Sequence, residues 1–273
     1  VVWMYCSQDH PSRQGDQGNY DHMDGYHVFS SVDLVHWIDH GEIIHSRDIK
    51  WGLNGWLWAP GAARKEDKYY LYYPHKDNDG TWRIGVAIAD APQGPFKDIG
   101  HPIEGITGID PKIFIDDDEQ AYIYNNSAIV AKLKPNMIEL AEEPRKIDYA
   151  PGEVVNDEMR QFREGSYMHK KDGIYYYSYT NYRNKEYQGF YAMGTSPYGP
   201  FEWKGAMAPK PDSAQDHHSI IQFNRQWYYF YHIGGNEFKP EYWKGSRRIS
   251  CFDKLFYNED GTIQMVKHTR GDK

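Results

Sequence analysis

A unit of about fifty residues recurs along the chain, each copy opening on a polar or aromatic residue, passing through a turn and ending in a burst of tyrosines. It reads WAPGAARKEDKYYLYY from Trp58, GIDPKIFIDDDEQAYIYNN from Gly108, EGSYMHKKDGIYYYSYT from Glu164 and DHHSIIQFNRQWYYFYH from Asp216. Alternation of Tyr, Ile, Val and Phe with period two, between Gly, Asp and Asn turns, is the pattern of β-strands. A strand-built repeat of this length points to the blades of a β-propeller, because such a unit buries its faces only against its neighbours.

A fifth, partial unit opens the chain. VVWMYCS (Val1 to Ser7) matches the second strand of the other units and YHVFSSVDLVHWIDHG (Tyr26 to Gly41) matches their outer strands. Blades are expected at roughly 1–45, 58–100, 108–140, 164–206 and 216–267, with RRISCFDKLFY and TIQMV as a closing strand pair. The fold expected is therefore an all-β, five-bladed β-propeller in one domain over 1–273, with the innermost strand of the first blade missing from the chain. Ala141 to Arg163 has no strand pattern and is expected to be a loop or short helix.

The repeat spans nearly all of the 273 residues, which leaves no room for a second domain. A mean hydropathy of −0.84 leaves no run long enough to cross a bilayer, so no membrane partner is expected. A net charge of −8 without a clustered basic face speaks against a nucleic-acid partner. Two cysteines, Cys6 and Cys251, are too few for a disulfide framework or a zinc site and read as buried thiols. No signal-peptide pattern is present, and since the chain opens inside a blade this leaves the compartment open.

In a propeller the innermost strands converge on the axis, so the first residues of each unit meet at one end. Here these are Trp58, Asp110, Glu164 and His217. The ends of the second strands add Asp9 and His10, His75, Asn125, Asn181 and Tyr182, and His232 as a rim. Each has an ordinary reading alone: Asp110 as an Asp-Pro turn, Glu164 as a solvated charge, Trp58 as core, His217 as an interior histidine. Their coincidence at one point of the repeat argues otherwise, because charge at a convergent axis is costly unless it works there. Two carboxylates in a cleft lined with Trp, Tyr, Asn and His suit carbohydrate chemistry, one acid protonating the leaving oxygen while another carboxylate handles water.

The motifs HVFSSVDLVHW, WAPGAARKEDKYYLYYP, IDPKIFIDDDEQAYIY, AKLKPNMIEL, EGSYMHKKDGIYYYSYT, SPYGPF, HHSIIQFNRQWYYFYH and DKLFYNEDGTI together resemble glycoside hydrolase family 43, the five-bladed arabinofuranosidases and xylosidases, in the family's order. The resemblance implies an inverting glycosidase releasing α-L-arabinofuranosyl or β-D-xylosyl units from plant polysaccharide or its oligomers, in a secreted or periplasmic setting. It assigns Glu164 in EGSY as general acid and Asp110 in IDP as the aspartate that tunes it, since a like-charged neighbour favours the protonated acid. The family's general base lies in the strand this chain lacks, upstream of Val1, with Asp9 as the fallback. An inverting pair stands roughly 6.5–9.5 Å apart, so the base must come from across the axis. Arg248 resembles the family's substrate-holding arginine, with Arg247 on the opposite sheet face by strand alternation. Trp58, His75, Asn125, Tyr182 and His232 are expected to line the sugar site. His217 resembles the axial histidine that touches a Ca²⁺ ion or its water shell, so Ca²⁺ is an open expectation. The missing base strand keeps a non-catalytic carbohydrate-binding propeller as the alternative.

Overall fold

The computed structural model describes residues 1–9, 20–150, 162–183, 186–210, 217–234 and 248–269. Five antiparallel sheets follow one another along the chain, and they are the blades of a five-bladed β-propeller. The first contains β1 (Val2–Ser7), β2 (Gly25–Ser31) and β3 (Trp37–His45). The second contains β4 (Gly61–Lys65), β5 (Lys68–Lys76), β6 (Trp82–Ala89) and β7 (Lys97–Asp98). The third contains β8 (Lys112–Ile115), β9 (Ala121–Tyr124), β10 (Ile129–Lys132) and β11 (Arg145–Lys146). The fourth contains β12 (Phe162–Lys171), β13 (Ile174–Arg183), β14 (Glu186–Gly194) and β15 (Phe201–Ala206), and the fifth β16 (Ser219–Phe223), β17 (Gln226–Gly234) and β18 (Arg248–Leu255). Among the described residues β1 pairs with β2 alone. No helix among them is long and apolar enough to cross a membrane.

Turn chemistry explains the hairpins. Asp172 and Gly173 join β12 to β13 with φ of 50° and 78°, and Asn224 and Arg225 join β16 to β17 with φ of 49° and 67°. Two consecutive left-handed residues make the type I′ turn whose twist matches paired strands. Two expectations are corrected here. Arg145–Lys146, inside the segment expected to lack strand, pair with Ile129 and Val130 because outward polar side chains suit an edge strand. TIQMV contributes a single bridge, Tyr257 to Ile263, and Val266 turns away to bond Met207. Residues 10–19, 151–161, 211–216 and 235–247, His10, Asp216 and Arg247 among them, lie outside the described residues.

The chain divides into two compact units, one built on Val1–Asn125 with Ala131–Pro144, the other on Arg145–Trp243 with Asn126–Val130 and Arg247–Lys273. The core of the first gathers Tyr26, Val28, Ile43, Leu57, Leu71, Tyr73 and Phe96. That of the second gathers Tyr167, Tyr176, Tyr191, Ile220, Tyr229, Tyr231 and Leu255. Cys6 and Cys251 are free thiols and only half-buried, which corrects the expectation of buried ones.

Two histidines are buried without charge. His169 stacks on Tyr176 with ring centroids 4.7 Å apart and shares a hydrogen bond with the Tyr257 hydroxyl at 2.8 Å. Burial pushes its imidazole down to about 3, and burial likewise pushes His75 down to about 4. An unfolded imidazole titrates near 6.5, so the stability these groups protect is complete above that pH and is lost as pH falls through the window to the folded values. Denaturant unfolding between pH 4 and 6.5 should show stability rising with pH, and His169→Phe should flatten that slope by about 1.4 kcal/mol per pH unit. An unchanged slope in the variant would contradict the neutral buried state.

Candidate active site

In the first unit, Trp58 lies three residues before β4, and Asp110 two residues before β8. The Tyr26 hydroxyl donates to the Trp58 carbonyl at 2.5 Å, and the Trp58 indole N–H donates to the Tyr20 carbonyl at 2.7 Å. Burial first, and then the charge of Asp110, raise the Tyr26 phenol far above its ordinary range, so Tyr26 ties Trp58 and Asp110 into one neighbourhood. Asp110 is 5% exposed and has φ of 57°. That left-handed conformation is unfavourable for a non-glycine residue, and the following Pro111 restricts it further. Strain of this kind persists where the surroundings impose it, as at ligand-binding sites. The surroundings here are explicit: the Asn125 amide donates to the Thr107 carbonyl at 2.7 Å, Gly108 N–H donates to the Trp82 carbonyl at 3.3 Å, and Arg83 bridges Thr107.

In the second unit, Glu164 sits inside β12 at an irregularity: register with β13 shifts between Phe162 and Glu164 and again before Tyr167. Gly165 takes φ of 70° within it. A bulge with a left-handed glycine re-aims the adjoining side chain, and only Gly adopts that conformation without cost. Glu164 Oε1 lies 3.6 Å from His217 Nε2, the two side chains being 13% and 21% exposed. His217 stacks over His232 with centroids 6.5 Å apart. His232 is buried, and burial, with Arg248 and His217 adding to it, holds its imidazole well below the ordinary range. Its ring is therefore neutral, and neither nitrogen has a hydrogen-bond partner among the described residues. The adjacent His218 is a different case: its Nε2 meets Ser178 Oγ at 2.7 Å and its ring stacks on Tyr229, a core arrangement.

Thus Trp58 and Asp110 come together in one unit, and Glu164, His217, His232 and Arg248 in the other. Two residues expected at the rim are buried. His75 is 0% exposed, packed edge-on against Trp51 at 5.1 Å, because β5 turns it into the sheet interior. Asn125 is 1% exposed and braces the segment leading to Asp110. Asn181 is likewise buried. Tyr182 belongs to β13, but its side chain lies outside the described residues. Asp9 is half-buried two residues beyond β1, after the second-strand position. Sequence reasoning missed Tyr26 and the Gly165 bulge. The glycine following Glu164 was the one visible signal for the latter.

A carboxylic acid beside an imidazole, a buried neutral histidine and an arginine can donate a proton and hold hydroxyls, the chemistry of a glycosidase. The chain matches the model of glycosyl hydrolases family 43 over residues 16–263 and belongs to that family. It is 36% identical over 267 residues to xylosidase/arabinosidase 43A of Humicola insolens, covering 81% of each chain. It is 34% identical over 259 residues to a xylosidase/arabinosidase of Bacteroides ovatus, covering 81% of this chain and 79% of that one. Among solved structures, a family 43 β-xylosidase/α-arabinofuranosidase from a compost microbial metagenome, in a calcium-free form with xylotriose, superposes with a TM-score of 0.86 at 33% identity over 97% of this chain and 90% of that chain. The protein is a glycosidase of this family.

If Asn125 braces the Thr107–Asp110 segment, Asn125→Ala leaves the Thr107 carbonyl without that donor and should lower unfolding free energy by about 1–3 kcal/mol in urea. Unchanged stability would show that the brace contributes nothing.

Proposed function

We propose that the protein is an inverting glycosidase that releases α-L-arabinofuranosyl or β-D-xylosyl residues from arabinoxylan, arabinan or xylo-oligosaccharides. The observation that carries this reading is Glu164, turned by the bulge at Gly165 onto His217 and largely sheltered from solvent, in a chain of family 43. The relatives named xylosidase/arabinosidase support the pentose, and the xylotriose bound to a structural neighbour supports a β-linked xylose chain among the substrates.

In this reading Glu164 is the general acid that protonates the leaving oxygen. Asp110, held buried and strained, takes the part of the tuning aspartate that the family motif assigns to it. Among the described residues Asp9 is the fallback for the general base. Trp58 offers a sugar-stacking face, while Arg248, Tyr182 and the unpartnered nitrogens of His232 address hydroxyls. His75 and Asn125 act through the segments they support. For Ca²⁺, the described residues of the second unit bring one carboxylate oxygen to His217 beside its own imidazole nitrogen, well short of the six to eight oxygens the ion takes. That set fits a hydrated ion touched through its waters, and no catalytic step is assigned to it.

Glu164→Gln should nearly abolish hydrolysis of oligosaccharides, whose leaving groups need protonation, and spare aryl pentosides with acidic phenols by comparison. Equal losses on both substrates would remove Glu164 from the acid role. Asp110→Asn should lower kcat/KM by about tenfold or more with the fold intact, and an unchanged kcat/KM would remove Asp110 from the site.

A further inference from the structure

Trp56, Trp58 and Trp82 form a half-buried aromatic cluster at one end of the second blade, and only Trp58 belongs to the sugar site described above. Trp58 and Trp82 have ring centroids 4.4 Å apart, and Trp56 meets Trp82 edge-on at 5.7 Å. The Lys76 ammonium lies 3.4 Å from the centroid of Trp56 and 5.3 Å from that of Trp82. Each residue comes from a different stretch: Trp56 from the loop before β4, Lys76 from the end of β5, and Trp82 from the start of β6.

Three observations distinguish this cluster from ordinary packing. Trp56 has φ of 63°, an outlier for a bulky residue, and the loop is fixed there by Leu53 N–H to the Lys76 carbonyl at 2.9 Å, Gly55 N–H to Ser46 Oγ at 2.9 Å and Leu57 N–H to the Met23 carbonyl at 2.8 Å. The Lys76 ammonium has no carboxylate partner among the described residues, because the neighbouring Asp77 is occupied by Arg83 Nε at 2.8 Å. The indole N–H groups of Trp56 and Trp82 make no hydrogen bond among the described residues, whereas that of Trp58 is used on Tyr20. The cluster thus presents aromatic faces, two unused donors and an unpaired cation, and through Gly108 and the Trp82 carbonyl it is tied to the segment that ends in Asp110.

We propose that Trp56, Trp82 and Lys76 form an accessory saccharide subsite, continuous with Trp58, that binds the sugars beyond the hydrolysed pentose and favours a chain bearing a uronic acid. This rests on the glycosidase reading. A carboxylate is a stronger partner for the ammonium than an indole face, since a charge-assisted hydrogen bond exceeds an exposed cation–π contact. As Lys76 moves onto the uronate it uncovers Trp56 for stacking, so acidic ligand and open aromatic face are coupled.

The test is calorimetric titration of the Glu164→Gln chain with xylose, neutral xylotetraose and a xylotetraose carrying a glucuronic acid branch. The acidic oligomer should bind about threefold or more tighter than the neutral one at low salt. Lys76→Met should erase that preference and Lys76→Arg should retain it. Trp82→Ala should lower the ratio of tetraose to xylose affinity by about fivefold or more. Equal binding of the two tetraoses, a preference that survives Lys76→Met, or a Trp82→Ala loss shared equally by xylose and tetraose would overturn the proposal. Failure of the unmutated chain to hydrolyse any pentoside, with the Lys76-dependent preference intact, would sink the glycosidase reading and leave the subsite standing.

Discussion

The reach of a tyrosine hydroxyl from one blade to the backbone of the next is the interaction on which the rest of the structure depends. A buried tyrosine would leave its hydroxyl stranded in the core, where an unpaired hydroxyl costs about 1–3 kcal/mol. The fold answers this within each unit. Tyr5 donates to the Pro92 carbonyl at 2.8 Å, Tyr26 to Trp58 at 2.5 Å and Tyr72 to Met137 at 2.6 Å in the first. Tyr167 donates to the Ile220 carbonyl at 2.8 Å in the second. Each bond joins consecutive repeats, and two of them end near the head of an inner strand, at the Trp58 carbonyl in one case and three residues beyond His217 in the other. Packing and site are therefore fixed by one set of contacts.

Onto that frame the two acidic residues are fastened in opposite ways. Asp110 is held in a left-handed backbone by a chain of bonds from Asn125, Trp82 and Arg83, while Glu164 is aimed by a glycine bulge that spares its own backbone the strain. Both devices set the direction of a short side chain more firmly than a regular strand would. A carboxyl group that must give up a proton to a leaving oxygen gains from such placement, because misdirection is a cost on rate.

The blades were legible in the sequence because period-two alternation and the Asp-Gly and Asn-Arg hairpins are local signals, and the family resemblance placed Glu164, Asp110 and His217 on them. What the sequence concealed was non-local. Nothing in YYPHK says that His75 turns inward against Trp51, and nothing in IYNN says that the Asn125 amide donates to the Thr107 carbonyl, because both depend on which face of β5 or β9 meets a neighbouring segment. The edge strand Arg145–Lys146 was hidden for a related reason: two polar residues on a sheet rim need no apolar alternation. The clustering of Trp56 with Lys76 and Trp82 joins three stretches that carry no common motif.

The central claim, that these residues serve an inverting hydrolysis, is tested most directly by proton NMR of the first sugar released from an aryl β-D-xyloside or α-L-arabinofuranoside. The account predicts that the anomer appearing before mutarotation has the configuration opposite to that of the substrate, as direct attack by water requires. Initial release with retained configuration would show a covalent glycosyl intermediate and contradict the account.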